Sequence, residues 1–272
     1  MKAVHTIFAL GLAGLFLAAA MPATGAVVYN LLDDNSSISV DTGGGTGINT
    51  WTVDAITHLE TQWFWYRTGA MIDEASISTL VLGATGATDT NFDGSFDTAY
   101  MKYSGAGFTL ELRTSLDGGA AGTNYSTLAE QITIKNTGAV NLTFHLFQYT
   151  DFNLGGTPID DTINIVSTLP DSIFQWDFKY TGDTVVVPKA DAYAAGAPAA
   201  LLALFGDGLS TTLAGPATAG PGTDVAWALQ WNAVISPNMT YQVVIGKTIT
   251  PEPATMAMLA LGGLFLAKRR RG

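Results

Sequence analysis

The chain contains no cysteine. Disulfides, thiolate metal sites and cysteine nucleophiles are therefore excluded together, and even in an oxidising compartment the core must hold the fold by itself. Cations are scarce too, with 12 Lys and Arg against 23 Asp and Glu, and only three histidines are present. Several local signatures of catalysis are missing: no G-x-S-x-G nucleophile turn, no phosphate-cradling glycine loop and no H-E-x-x-H. Lys, Glu and Arg, which fill exposed helix faces, are few, while Thr, Gly, Val, Ile and aromatics are common. Such a composition favours strands.

The densest positive charge is at the C-terminus. Pro251-Glu252-Pro253 is followed by 14 uncharged residues, 254–267, and then by Lys268, Arg269, Arg270 and Arg271. The prolines should stop a helix or strand across residues 251–253. The apolar run can enter a bilayer as a helix, and the four cations favour the cytoplasmic side. At about 1.5 Å per residue the run is about 21 Å long, short of a ~30 Å hydrocarbon core. A plain membrane anchor or a last core helix are the simpler alternatives, but a core helix does not normally end a protein in four cations.

This tripartite tail resembles the PEP-CTERM sorting signal of exopolysaccharide-producing Gram-negative bacteria. The resemblance implies recognition and cleavage by exosortase, a membrane transpeptidase-like enzyme, with Pro251, Glu252, Pro253 and Lys268 to Arg271 as the sorting residues. It implies transient residence in the inner membrane and delivery to the cell surface or extracellular matrix. It covers residues 250–272 only and implies nothing about the activity of the rest.

The N-terminus has the form of a secretory signal peptide. Lys2 gives a positive start, Ile7 to Ala20 an apolar stretch, and small residues allow cleavage after Ala26. Between the two processing segments, residues 27–250 keep seven Lys and Arg against 22 Asp and Glu, a net charge of −15. Such a body repels nucleic acid and anionic headgroups, so neither is expected as a partner.

The body reads as one all-β domain over residues 27–249, an antiparallel sandwich or jelly-roll-like fold. Strand-like segments recur every 8 to 12 residues or so between Gly, Asn and Asp turns. Gln131 to Lys135 and Val140 to Tyr149 alternate apolar with polar around Asn136-Thr137-Gly138, the clearest hairpin pattern in the chain. Residues 189–222, rich in Ala, Gly and Pro, read as an insertion on this sandwich.

Four features could carry chemistry. Asp89, Asn91, Asp93 and Asp97, with Gly94 between them, match the first nine positions of an EF-hand-type calcium loop. Calcium needs about six to eight oxygens, and side chains at alternate positions of such a loop converge on one point. The twelfth position is Tyr100 instead of an acid, and a polar hairpin turn uses the same residues. Trp63 and Trp65 share one face of a strand in Trp63-Phe64-Trp65-Tyr66, either as core or as an exposed platform for a sugar ring. His58 and His145 are expected as hydrogen-bonded residues at the sheet surface. The pairs Asp33-Asp34, Asp73-Glu74 and Asp160-Asp161, together with Asp151, are expected as solvated loops, although two facing carboxylates are what glycoside cleavage needs.

The function expected from sequence is that of an exported, non-enzymatic surface or matrix protein. The alternative is a lectin-like module that binds carbohydrate or calcium and acts on exopolysaccharide. A secreted glycoside hydrolase stands behind both.

Overall fold

The computed structural model describes residues 25–44, 46–69, 71–166 and 171–252. The signal-peptide expectation for residues 1–24 and the membrane segment 254–267 lie outside them, as do Pro253 and Lys268 to Arg271. Along the chain come β1 (Val28–Asp33), β2 (Ser36–Asp41), β3 (Ile48–Val53) and the long β4 (Ile56–Thr68). After β5 (Ala75–Ser76) and a 3-10 turn follow β6 (Val81–Thr88), β7 (Thr98–Gly105), β8 (Phe108–Gly118), β9 (Ser126–Asn136) and β10 (Leu142–Phe152). Then β11 (Thr162–Ile165), β12 (Ser172–Trp176), β13 (Tyr180–Val187) and β14 (Ala192–Gly196) lead to helix α1 (Pro198–Ala203). The last strands are β15 (Thr218–Ala219), β16 (Ala226–Ile235) and β17 (Thr240–Pro251).

These strands pair antiparallel in two sheets. The first runs β1-β2-β3-β4-β10-β16-β14, with β5 beside β4; the second runs β15-β11-β12-β13-β17-β9-β8-β7-β6. The all-β antiparallel sandwich read from composition and strand spacing is the observed fold.

Alternation explains most of it. Along β9 every second side chain from Ser126 to Asn136 is buried, and β17 alternates the same way from Val243 to Ile249. Leu128, Ile132 and Ile134 thus meet the inward residues of the first sheet in one continuous core with Phe64, Phe144, Leu146 and Trp231. The core also contains charge. Lys247 forms a fully buried ion pair with Glu130, and Gln62 Nε2 crosses from the first sheet to donate to Glu130 Oε1 at 2.6 Å. Burial holds the Lys247 ammonium below its ordinary pKa, and Glu130 opposes that shift. Trp51 Nε1 makes a second cross-sheet bond, 3.2 Å to Ser126 Oγ.

The hairpin expected around Asn136 does not form. β9 pairs with β8 and β17, whereas β10 pairs with β4 and β16, so the chain crosses from one sheet to the other between them. Asn136 fixes the crossing: its Nδ2 donates to Val140 O and Ile235 O at 2.7 Å each, and its Oδ1 accepts from Gly138 N. Two adjacent alternating runs look the same whether they pair with each other or with distant partners, and here the distant partners win.

The segment read as an insertion supplies β14 to the first sheet, α1, and β15 to the second. Its middle lies over the outer face of the first sheet. Phe205 stacks on Trp65 (centroids 5.1 Å apart, planes at 22°) and meets Phe147 at 5.5 Å. Arg67 bonds Glu74 at 2.7 Å and Thr211 O at 3.2 Å, while Thr211 N donates to the same Glu74 oxygen. Leu213 N donates to Gln230 Oε1 at 2.8 Å. β10 is consequently buried on both faces from Leu146 to Phe152.

Candidate functional site

The sequence features fall in different surroundings. Trp63 is fully buried, with its Nε1 bonded to Ser76 Oγ at 3.0 Å, and Trp65 lies beneath Phe205. The two indoles share a strand face, but that face is roofed over, so they form no exposed sugar platform. Burying each ring contributes about 1.5–3 kcal/mol.

In the loop from Asp89 to Asp97 the side-chain oxygens turn inward to the loop's own amides. Asp97 accepts from Thr90 N, Thr90 Oγ1 and Asn91 N at 2.8–3.2 Å. Asp89 accepts from Phe92 N and Gly94 N, and Asp93 from Ser95 N. Asn91 donates to Asp33 Oδ1 at 2.6 Å, which ties the loop to β1. Asp33 is held above its ordinary pKa by burial, against a lowering bond from Gly118 N, with Asp34, Asp117 and Asp93 adding to the rise. Among the described residues no three His, Asp or Glu side chains converge as a metal-ligand set.

Each histidine has its own surroundings. His145 Nδ1 contacts Asn232 Oδ1 at 2.6 Å. His58 is fully buried, not at the sheet surface; its Nδ1 accepts from Gly155 N at 3.2 Å and its ring meets Tyr180 edge-on. Burial pushes its pKa down to about 4. Around the same turn Asp161, also fully buried, accepts from Leu154 N and Gln175 Nε2, and burial pushes its pKa up to about 7.

The acidic residue with the most unusual setting is Asp151, at the end of β10. The pairing of β10 with β4 slips there: Asp151 faces Thr61 and Phe152 faces Leu59, which leaves Glu60 as the extra residue of a bulge. Bulges re-aim side chains. Glu60 is exposed and receives Asn153 Nδ2 at 2.7 Å, while His58 and Leu59 beside it are buried. Asp151 is only 4% exposed; its Oδ2 accepts from Tyr149 OH at 2.9 Å, and its Oδ1 has no protein partner. Desolvation pushes its pKa up to about 7, with further rises from Asp224 and Glu60 and an opposing bond from Tyr149. Asp224 is itself raised by burial and by Glu60. The sequence offered Asp151 as one loop carboxylate among many; Asp224 and the bulge at Glu60 had no signal in it.

The tail joins the body at the end of β17. Pairing with β9 stops at Ile249 opposite Ser126, but pairing with β13 continues, Thr181 with Thr250 and Tyr180 with Pro251. Glu252 N then donates to Lys179 O at 2.6 Å, and Thr181 Oγ1 donates to Glu252 Oε1 at 3.2 Å. The body therefore extends into the Pro-Glu-Pro triplet, contrary to the stop expected of the prolines. The reason is the side on which Pro251 lies. Alternate residues of a strand address opposite neighbours, so residues 250 and 252 face β13 while Pro251 faces the side where β9 has already ended. No ladder bond is lost there for want of its N–H.

Residues 250–271 match the PEP-CTERM protein-sorting motif. The motif marks the chain for export and for processing by exosortase, a membrane enzyme, and its first residues are strand residues of the body. Among the described residues no helix is long and apolar enough to cross a membrane.

The body's fold has been seen before. It is similar to a bacterial glucoamylase complexed with acarbose, with a TM-score of 0.54 and 7% identity over 91% of this chain and 36% of that one. It is also similar to a putative aldose 1-epimerase from Escherichia coli K12, with a TM-score of 0.53 and 11% identity over 84% of this chain and 100% of that one. The chain thus spans about a third of the glucoamylase and the full length of the epimerase. At such identities the likeness is one of fold alone. No curated protein matches the sequence.

Proposed function

We propose that the chain is an exported, non-enzymatic cell-surface or matrix protein whose β-sandwich is displayed after exosortase removes its tail. The observation that carries this reading is the sorting motif at residues 250–271, joined without a linker to the last strand of a folded body. The acidic body, net −15 over residues 27–250, suits a soluble displayed domain. Intact-mass measurement of the protein recovered from the cell surface tests it. A C-terminus close to residues 251–253 is expected, and a retained Arg269-Arg270-Arg271 end would reduce the tail to an ordinary anchor.

A second reading is favoured by Asp151. A carboxyl with a pKa of about 7 beside two further acids is the kind of group that donates a proton to a glycosidic oxygen or hydrogen-bonds a sugar hydroxyl. Carbohydrate, with exopolysaccharide as the first candidate, is accordingly the ligand class to test. On this reading Asp151→Asn weakens polysaccharide binding in calorimetry about tenfold or more, as loss of a charged hydrogen-bond partner does. Sugar release that is abolished in the same variant would make the body an enzyme. Equal binding by wild type and variant would remove Asp151 from any such role.

A further inference from the structure

The body does more than carry the sorting motif: it grips the motif's first residues. Glu252 lies beyond the last pairing with β9, yet its amide is bonded to Lys179 O and its carboxylate to Thr181 Oγ1. Pro251 is opposite Tyr180 in the β13 ladder. The grip belongs to the fold's interior strands, since β13 and β17 are both central in the second sheet. Nearby Asp183 is raised by burial and then by the Glu252 charge, so the carboxylate of Glu252 is close enough to be felt by the strand that holds it. An enzyme that cuts or transfers at an extended peptide must surround that peptide's backbone, as extended ligands are bound through main-chain hydrogen bonds. Here one side of residues 250–252 is already occupied by β13.

We propose that β13 acts as a latch on the sorting motif, with Lys179 and Thr181 as positioning residues that keep Pro251-Glu252 from the processing enzyme until the end of β17 peels away. This rests on the reading of the tail as an exosortase substrate. The folded body then sets the rate of its own processing. Freeing the latch requires no unfolding of the sandwich, because β17 keeps its pairing with β9 from Thr240 to Ile249.

The test uses the full chain, produced together with an exosortase in membranes, in three forms: wild type, Thr181→Val, and a six-residue Gly-Ser insertion between Thr250 and Pro251. The insertion moves Pro251 and Glu252 off β13 and leaves the β9-paired part of β17, Thr240 to Ile249, and the order of the tail intact, and melting temperatures check that all three bodies fold alike. Two quantities are read, the rate at which the tail is lost by intact mass and the hydrogen exchange of the Glu252 amide in the uncut protein. The latch predicts a protected Glu252 amide in wild type, free exchange in the insertion, and processing roughly tenfold faster in the insertion. Thr181→Val should accelerate processing by roughly two- to tenfold, the range that one lost hydrogen bond gives. An unprotected Glu252 amide in wild type overturns the latch, as does equal or slower processing in the insertion variant. Tails left uncut in all three forms overturn the sorting reading, and the latch's role with it; equal cutting in all three overturns the latch alone.

Discussion

The outer faces of the two sheets are built for different surroundings. On the first sheet Trp65, Phe147 and Tyr149 lie under a cover made by α1 and the chain that follows it, with Phe205 and Leu213 each less than 5% exposed. On the second, Val185, Val187 and Val244 stand open, with Val187 opposite Val244. The difference is visible along single strands: β10 is buried at both parities, whereas β9 and β17 are buried only at every other residue. A strand pattern therefore reports how many layers will cover it, and only the two-layer case reads cleanly from sequence. The same face carries the unusual acid, since Asp151 follows Phe147 and Tyr149 along β10 and accepts from Tyr149 OH.

The largest effect should come from removing the cover's central ring. Phe205→Ala is expected to cost about 3 kcal/mol or more, from lost burial and the cavity left over Trp65, measured by chemical denaturation. A red shift of Trp65 fluorescence should accompany it. If the cost is under ~1 kcal/mol, the cover is not part of the cooperative fold.

Asp151 should act through pH. Its folded pKa of about 7 lies above its ordinary value of 3.8, so the native state holds the proton more tightly than the unfolded chain. The stabilisation is complete below the ordinary value and is lost as pH rises through about 7. Asp151→Asn should flatten that decline, so that the variant gains steadily on wild type as the pH is raised from 4 to 8. Parallel stability curves for the two proteins would show that Asp151 is not buried as described. The smallest effect belongs to the bare face, where Val187→Thr should change stability by less than ~0.5 kcal/mol.

Much of this was legible in advance. Alternation marked β9 and β10, and the Pro-Glu-Pro, apolar and cationic blocks marked the tail. What failed to show was pairing and depth. Residues 131–149 read as a hairpin because sequence reveals a strand's faces but not its neighbour, and Asn136 could as well have closed a turn as led a crossing. Trp63 and Trp65 were ambiguous because a hydrophobic face looks the same whether a sugar or Phe205 covers it. Asp151 was one of several acids at strand ends; its raised pKa comes from burial first and then from the charges of Asp224 and Glu60, which only the fold brings near it. The prolines were misread in a different way. Their effect depends on which neighbour Pro251 faces, and that is fixed by where β9 stops.

The position of β17 also orders events in time. As the last strand of the body it lies between β13 and β9, in the middle of its sheet. Without residues 240–251 the second sheet consists of two halves with no pairing between them, β15 to β13 and β9 to β6. Both halves then expose strand edges, which are prone to pair wrongly. Assembly thus waits for the same stretch of chain that carries the sorting motif. The second sheet can close only once the chain extends to the first residues of the motif.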